Sequence, residues 1–304
     1  MRLSFVVVLF VVLCYTALEC ASHWCDADHI RWSDDGTAVN IPVGCGSGHD
    51  DAINLSFGRL GSRAIEVLAI AMEESVATRL ILEGNQIGHG GAVALAVLLS
   101  KNTRLLSLDL SNNQIGDEGA RAIAQGLRNN THLRKLMLGN NGIGPRGAAA
   151  VALAIGDGRT LLGVDEAPQG PAGGGGGGGF GGAAAQANKY LTSLWLSYNP
   201  IGDGGGVILG EALSGNTTFL DDGESNGTAK GVLKLPRVEK LFLAHCGVSN
   251  YGGSALGSAL VANPHIDQLV LMGNPVSVVP LFAYFAAQQR MPYFIRLLFS
   301  SCTD

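Results

Sequence analysis

The chain has 304 residues, of which 47% are apolar and only 15% are charged, and its formal net charge is −5. That many apolar side chains can fill a hydrophobic core, which excludes an intrinsically disordered chain. The acidic balance lacks the basic footprint of nucleic-acid-binding proteins, so we expect no nucleic-acid partner.

The first twenty residues resemble a secretory signal peptide. Arg2 gives a basic start, and Leu3–Leu13 is almost wholly apolar but too short to span a bilayer. The cleavage region is marked by the small residues Ala17, Cys20 and Ala21. We expect residues 1–20 to be removed, the mature chain to be secreted or luminal, and no membrane span to remain. An uncleaved membrane anchor is the alternative.

Residues 21–50 predict an N-terminal cap that contains a hairpin around Asp35-Gly36. After cleavage, Cys25, Cys45, Cys246 and Cys302 remain, and four cysteines allow three pairings. We favour Cys25–Cys45 because both flank this short segment and an oxidising compartment promotes the bond. His23, Asp26, Asp28 and His29 form a cluster that suits either a metal or, more often, a polar cap surface, so no metal site is predicted.

A phrase of the form LxLxxNxIG recurs along the chain. Close copies begin at Leu80, Leu108, Leu136 and Leu194, weaker copies at Leu241 and Leu269, and a worn copy at Ile53. The successive Asn positions 85, 113 and 141 differ by 28 in number, as do positions 246 and 274. A fixed period of this length indicates a repeat architecture.

Two longer intervals interrupt the period. The positions of Asn141 and Asn199 differ by 58, two periods plus two, which predicts a degenerate repeat over 161–190. The positions of Asn199 and Cys246 differ by 47, one period plus 19, which predicts an insertion within 216–235.

The glycine run 173–179 lacks the Lys or Ser/Thr of a phosphate loop and is interpreted as low-complexity sequence. The acidic residues Asp221, Asp222 and Glu224 are interpreted as part of a solvated loop rather than a cation site.

Each unit predicts a strand, a turn and a helix. The alternation in LxL places both leucines on one side of a strand. The turn residue that follows can hydrogen-bond backbone groups and form a ladder between copies; its members are Asn85, Asn113, Asn141, Asn199, Cys246 and Asn274. Ala120, Ile123, Ala124 and Leu127 recur at helical spacing and give one apolar stripe. Such units bury their apolar faces against their neighbours.

The pattern LxxLxLxxNxIGDxGAxxLAxxL resembles the leucine-rich repeat of ribonuclease inhibitor, NOD-like receptors and Ran GTPase-activating proteins, over about residues 51–276. The resemblance implies a curved α/β solenoid with about 28 residues per repeat, a parallel sheet on the concave side and helices on the convex side. It also implies protein–protein recognition as the usual activity. The apolar and aromatic tail 277–304 is interpreted as a C-terminal cap, with a membrane-surface helix as the alternative.

In this fold the residue between the two leucines points to the concave surface. That column and the residues just beyond it supply the predicted partner-binding residues Ile81, Asp109, Met137, Trp195, Tyr198, Phe242 and His245. Exposed apolar patches mark interaction sites, and Trp and Tyr are favoured anchors. Burial of Trp195 beneath an interruption of the repeat is the alternative.

Four asparagines stand in N-x-[ST] sequons and are candidate glycosylation sites in a secreted chain: Asn54, Asn129, Asn216 and Asn226.

No phosphate loop, nucleophile elbow or zinc-helix motif occurs in the sequence, so no catalytic residue and no cofactor are predicted. The leading hypothesis is a non-catalytic protein-recognition module that is secreted or luminal and binds a protein on its concave face. The alternative is a cytosolic GTPase-activating or regulatory protein of the Ran type.

Overall fold

The computed structural model describes residues 31–32, 39–40, 52–73, 75–156, 188–214 and 236–277. Within these ranges, seven three-residue strands pair in chain order into one parallel sheet. The strands are β3 (Ala52–Asn54), β4 (Arg79–Ile81), β5 (Ser107–Asp109), β6 (Lys135–Met137), β7 (Ser193–Trp195), β8 (Lys240–Phe242) and β9 (Gln268–Val270).

A helix follows each of the first six strands of this sheet. The helices are α1 (Gly61–Ala71), α2 (Gly88–Lys101), α3 (Gly116–Asn129), α4 (Pro145–Ile155), α5 (Gly202–Ser214) and α6 (Asn250–Ala262). Each helix packs on the next, so strands and helices form two parallel layers. Strands stack roughly 5 Å apart and helices need about 8–10 Å, so the layers bend with the sheet on the inside. The predicted α/β leucine-rich solenoid is confirmed.

The core lies between the two layers. Both leucines of each LxL phrase are buried, as Leu108 and Leu110 illustrate in β5 and just after it. The helix stripe predicted for α3 is also buried at Ala120, Ile123, Ala124 and Leu127. Neighbouring helices approach closely where side chains are small: a Cβ at Gly126 would lie 2.3 Å from the carbonyl oxygen of Ala96.

The expected degenerate repeat over 161–190 contributes no strand between β6 and β7. These two strands pair directly, with Leu136 opposite Leu194. The backbone N–H of Asn188 donates to the carbonyl of Ala154 at 2.7 Å, next to the end of α4, so the chain returns to the place it left. The interval from Asn141 to Asn199 is therefore a single step of the sheet, and the prediction that a degenerate repeat is stacked between β6 and β7 is wrong.

The second long interval shows the same arrangement, because β7 pairs directly with β8 and Leu194 lies opposite Leu241. Residues 215–235, which cover most of the predicted insertion, lie outside the described residues. Both long intervals lie between the end of a helix and the next strand of the sheet.

The N-terminal segment is described only at β1 (Arg31–Trp32) and β2 (Val39–Asn40), which pair antiparallel across the predicted Asp-Gly turn. β2 lies against α1, the first helix of the stack. The predicted cap over 21–50 otherwise lies outside the described residues, as do Cys25, Cys45, the His23–His29 cluster and the predicted C-terminal cap from residue 278 onward.

Candidate functional site

The exposed row of the sheet runs through the middle of the concave face. The pairing register places Asn54, Ile81, Asp109, Met137, Trp195, Phe242 and Val270 side by side. Successive residues of a strand point to opposite faces, so this row faces away from the helices. Its members are partly or largely accessible except Val270, which is buried.

Four rings cluster on β7, β8 and the turns that follow them. The indole of Trp195 stacks on the phenyl ring of Phe242 with centroids 4.0 Å apart and an interplanar angle of 29°. The phenol of Tyr198 stacks on the imidazole of His245 at 4.8 Å and 13°. Trp195 is 39% exposed and Tyr198 57% exposed, so no described residue covers them. We call Trp195, Tyr198, Phe242 and His245 the aromatic surface.

Local hydrogen bonds hold these rings in place. The indole Nε1–H of Trp195 donates to Oγ of Ser193 at 2.8 Å, which fixes the orientation of the ring. The backbone N–H of Tyr198 donates to the carbonyl of Ala244 at 2.7 Å, so the turn is anchored to the next repeat. A rigid aromatic side chain loses little conformational entropy when a partner covers it.

Tyr198 and His245 occupy the left-handed backbone region, with φ of 62° and 54°. This conformation is uncommon for residues other than glycine, and both residues stand at the same position of their repeats. The imidazole of His245 lies over Gly273, where a Cβ would come within 2.2 Å of the ring. The left-handed turn therefore directs both rings sideways along the sheet, where they meet.

The other half of the concave face carries polar groups that hydrogen-bond one another, beside Ile81 and the exposed ring of Phe57 in the first turn. Nδ2 of Asn112 donates to Oε1 of Glu83 at 2.8 Å, and Nδ2 of Asn140 donates to Oδ1 of Asn112 at 2.6 Å. Oδ1 of Asp109 accepts from the backbone N–H of Ser111 at 2.9 Å. The face therefore changes from hydrogen-bonded polar groups on β4–β5 to stacked rings on β7–β8.

The predicted ladder positions lie beneath this face as buried hydrogen-bonding groups. The backbone N–H of Asn85 donates to Oδ1 of Asn113 at 2.7 Å, and Asn113 repeats this bond to Asn141 at 2.9 Å. The Nδ2 of Asn113 donates to the carbonyls of Leu82 and Leu110. The same pattern continues through Asn199 and resumes from Cys246 to Asn274.

Cys246 replaces the ladder asparagine in one repeat, where it supplies a hydrogen-bond donor but no amide oxygen. Its Sγ–H donates to the carbonyl of Leu196 at 3.2 Å, which replaces the Asn donor. The backbone N–H groups of Asn199 and Tyr198 face the sulfur where other repeats present an amide oxygen. Burial outweighs these two hydrogen bonds and raises the pKa of the Cys246 thiol to about 11.

A second asparagine ladder runs along the other edge of the core and was missed by sequence reasoning. Its members are buried and stand before the strands: Asn102, Asn130, Asn188 and Asn263. Nδ2 of Asn130 donates to the carbonyl of Leu99 at 2.7 Å, and its Oδ1 accepts from the backbone N–H of Leu133 at 2.7 Å. The available signal was a second Asn at a constant distance before the ladder residue, as Asn102 stands before Asn113.

Two aspartates each cap the helix of the repeat that follows their own in the sheet. Sequence reasoning missed this role as well. Oδ1 of Asp117 accepts from the backbone N–H groups of Gly144 and Gly147, at 2.6 and 2.8 Å. Asp203 accepts from the Ser249 hydroxyl at 2.5 Å and from the Gly252 N–H at 3.0 Å. The bond from the Ser249 hydroxyl is the main cause that holds the pKa of the Asp203 carboxyl below its ordinary value.

Of the sequon residues, Asn54 lies in β3 on the concave row, where its Oδ1 accepts from the Ser56 hydroxyl at 2.8 Å. Asn129 ends α3, and Asn216 and Asn226 lie outside the described residues.

In the described part of the chain, His, Cys, Asp and Glu form no group of three or more suited to a metal ion. Over the same residues, no helix has the length and hydropathy to cross a membrane.

Comparison with known proteins agrees with the repeat geometry. The family model described as "Leucine Rich repeat" matches residues 78–96, 101–124, 129–152 and 187–209. The chain is a leucine-rich-repeat protein. The matches pass from 152 to 187 without a copy between them, in agreement with the direct pairing of β6 with β7. No curated protein matches the chain. Leucine-rich repeats commonly mediate protein–protein interaction and are generally non-catalytic.

Proposed function

We propose that this leucine-rich-repeat protein is a non-catalytic recognition module of the ribonuclease-inhibitor and NOD-like-receptor type. It is secreted or luminal and binds a protein partner on its concave face. The binding residues are the aromatic surface, extended over neighbouring strands by Ile81, Asp109 and Met137.

The accessible Trp195–Phe242 stack is the observation that carries this proposal. The leucines that build the core point inward, so these two rings are not needed to close the core between sheet and helices. Large aromatic side chains held on a rigid sheet are favoured anchors at protein interfaces. Their contact with water is unfavourable, and a partner that covers them removes that cost.

The secreted or luminal location rests on the apolar segment Leu3–Leu13 after a basic start and on the four sequons. A reporter protein fused to residues 1–25 tests it directly. Export of the reporter from cells supports the location, and retention in the cytosol contradicts it and favours the Ran-type regulatory alternative.

Affinity capture with matched variants tests the binding site. Trp195→Ala and Phe242→Asp remove the stack, whereas Tyr251→Ala removes an exposed aromatic ring from α6 on the convex side. A partner recovered with the unaltered protein and with Tyr251→Ala, but reduced at least tenfold with either concave variant, supports the site. Equal recovery with all four proteins contradicts it.

A further inference from the structure

We infer that the partner segment bound on this face carries an acidic side chain next to an aromatic or aliphatic anchor. The inference rests on the proposed function and specifies the chemistry of its partner. It comes from a second row of the concave face, which the repeat pattern alone does not single out.

This row stands two residues before the row of Trp195 and therefore faces the same side. The register places Lys135, Ser193 and Lys240 next to one another on β6, β7 and β8. Both lysines are exposed, and neither side chain forms an ion pair or hydrogen bond with any described residue. By contrast, Lys101 on the convex side pairs with Glu73 at 2.8 Å.

The acidic groups of the concave face are engaged elsewhere. Asp109 accepts from the backbone of Ser111, and Glu83 accepts from Asn112. The aromatic surface is thus bordered by two lysines with no described anionic partner, while the polar half of the face holds the carboxylates. Arg79 on β4 belongs to the same row, two strands from Lys135. An acidic group of a partner would complement the two lysines beside the aromatic surface.

Sheet geometry sets the size of the segment. Lys135 and Lys240 are two strands apart, roughly 10 Å, and flank Ser193, which is buried and accepts from the Trp195 indole. Both flexible side chains can reach one carboxylate that lies beside this indole. The lysine row lies about 7 Å from the row of Trp195 and Phe242 along the strands. An acid and an anchor two residues apart in an extended segment span this distance, as do residues three or four apart in a helix.

Phosphate is the other anion that lysines and aromatic rings can hold, as in single-stranded nucleic-acid sites. The whole chain carries a net charge of −5, which opposes a polyanion more strongly than a peptide with one or two carboxylates. An acidic protein segment is therefore the favoured occupant.

Selection from a random twelve-residue phage-displayed peptide library against the purified chain tests the inference. We expect the selected peptides to carry Asp or Glu within four positions of Trp, Phe or Leu. Synthetic copies should lose about tenfold in affinity with Lys135→Glu or Lys240→Glu and weaken several-fold when salt rises from 50 to 300 mM. Arg146→Glu, the same charge change on convex α4, should leave binding unchanged.

The outcomes separate this inference from the proposed function. Peptides that require Trp195 but bind Lys135→Glu and Lys240→Glu normally would overturn the acidic partner and leave the concave site standing. Peptides indifferent to Trp195 and to both lysines would overturn both. Failure to select any peptide, or tighter binding of an oligo-dT twenty-mer that depends on the lysines, would overturn the inference.

Discussion

The backbone N–H of Asn141 donates to Oδ1 of Asn199 at 2.8 Å, although the two residues are separated by 58 positions in the sequence. The same bond joins Asn113 to Asn141 across 28 positions. The ladder therefore joins Asn141 directly to Asn199, by the same bond that joins consecutive repeats elsewhere.

Excision of residues 158–187 should leave the solenoid intact. It shortens the interval between Asn141 and Asn199 to the one that separates Asn113 from Asn141, and it rejoins two ends that already meet at Asn188 and Ala154. Removing a closed loop changes stability by at most a few kcal/mol, in the favourable direction. Thermal unfolding followed by circular dichroism should show an equal or higher Tm.

Excision of residues 116–143 is the matched control, because it removes one complete strand and helix of nearly the same length. It should lower both the Tm and the denaturant m-value. If excision of 158–187 is as damaging as this control, the segment belongs to the stack.

Both asparagine ladders should contribute strongly to stability. Asn113→Ala and Asn130→Ala each leave several buried backbone groups without partners, so we expect each to lower the free energy of unfolding by about 2–4 kcal/mol. Gln125→Ala, on the exposed face of α3, should change it by less than about 0.5 kcal/mol. Urea denaturation measures all three, and a loss below about 1 kcal/mol at Asn130 would refute the role of the second ladder.

The Cys246 thiol should make stability fall at alkaline pH. Burial raises its pKa from 9.0 to about 11, so the neutral thiol is favoured in the folded chain. This contribution is complete below pH 9, where the unfolded chain also keeps its proton, and is lost as pH rises through about 11. The loss should be on the order of 2 kcal/mol.

Cys246→Asn is the comparison for this prediction, because it restores the amide oxygen that faces the N–H of Asn199 and carries no titrating group. It should be more stable than the unaltered protein by about 1 kcal/mol at pH 7, and the difference should grow from pH 9 to 11. A constant difference over that range would contradict the thiol's titration.

Asp203 should have the opposite pH dependence. Hydrogen bonds from Ser249 and Gly252 lower its pKa from 3.8, so its contribution is present above that pH and is lost as pH falls through the lowered folded value. Asp203→Asn should cost about 1 kcal/mol at pH 7, and the cost should shrink below pH 4. Asp267→Asn, an exposed carboxylate, is the control. A cost that does not change with pH would show that the charge has no part in capping α6.

The period could be predicted because buried residues carry it. Leu108, Leu110 and Asn113 have one possible environment in a stacked unit, so their spacing determines strand, turn and register. The interval from Asn141 to Asn199 was ambiguous, because two periods with a short surplus and one period with a long excursion fit equally well. Only the pairing of β6 with β7 distinguishes them.

The site was only partly predictable. Alternation placed Trp195 and Phe242 on one face, and neighbouring repeats placed them on adjacent strands. The contact between Tyr198 and His245 depends on a left-handed backbone at both residues, which nothing in their identities indicates. Asn130 and its equivalents escape a pattern search because an Asn close to a helix end is common and is usually exposed.

Site-specific photocrosslinking tests recognition on the concave face without assuming the identity of the partner. p-Benzoylphenylalanine replaces Tyr198 on the aromatic surface in one protein and Tyr251 on α6 in another, and both are irradiated in cells that produce the chain. We expect a covalent adduct with the captured partner from position 198 and none from position 251. An adduct from position 251, with none from position 198, would contradict recognition on the concave face.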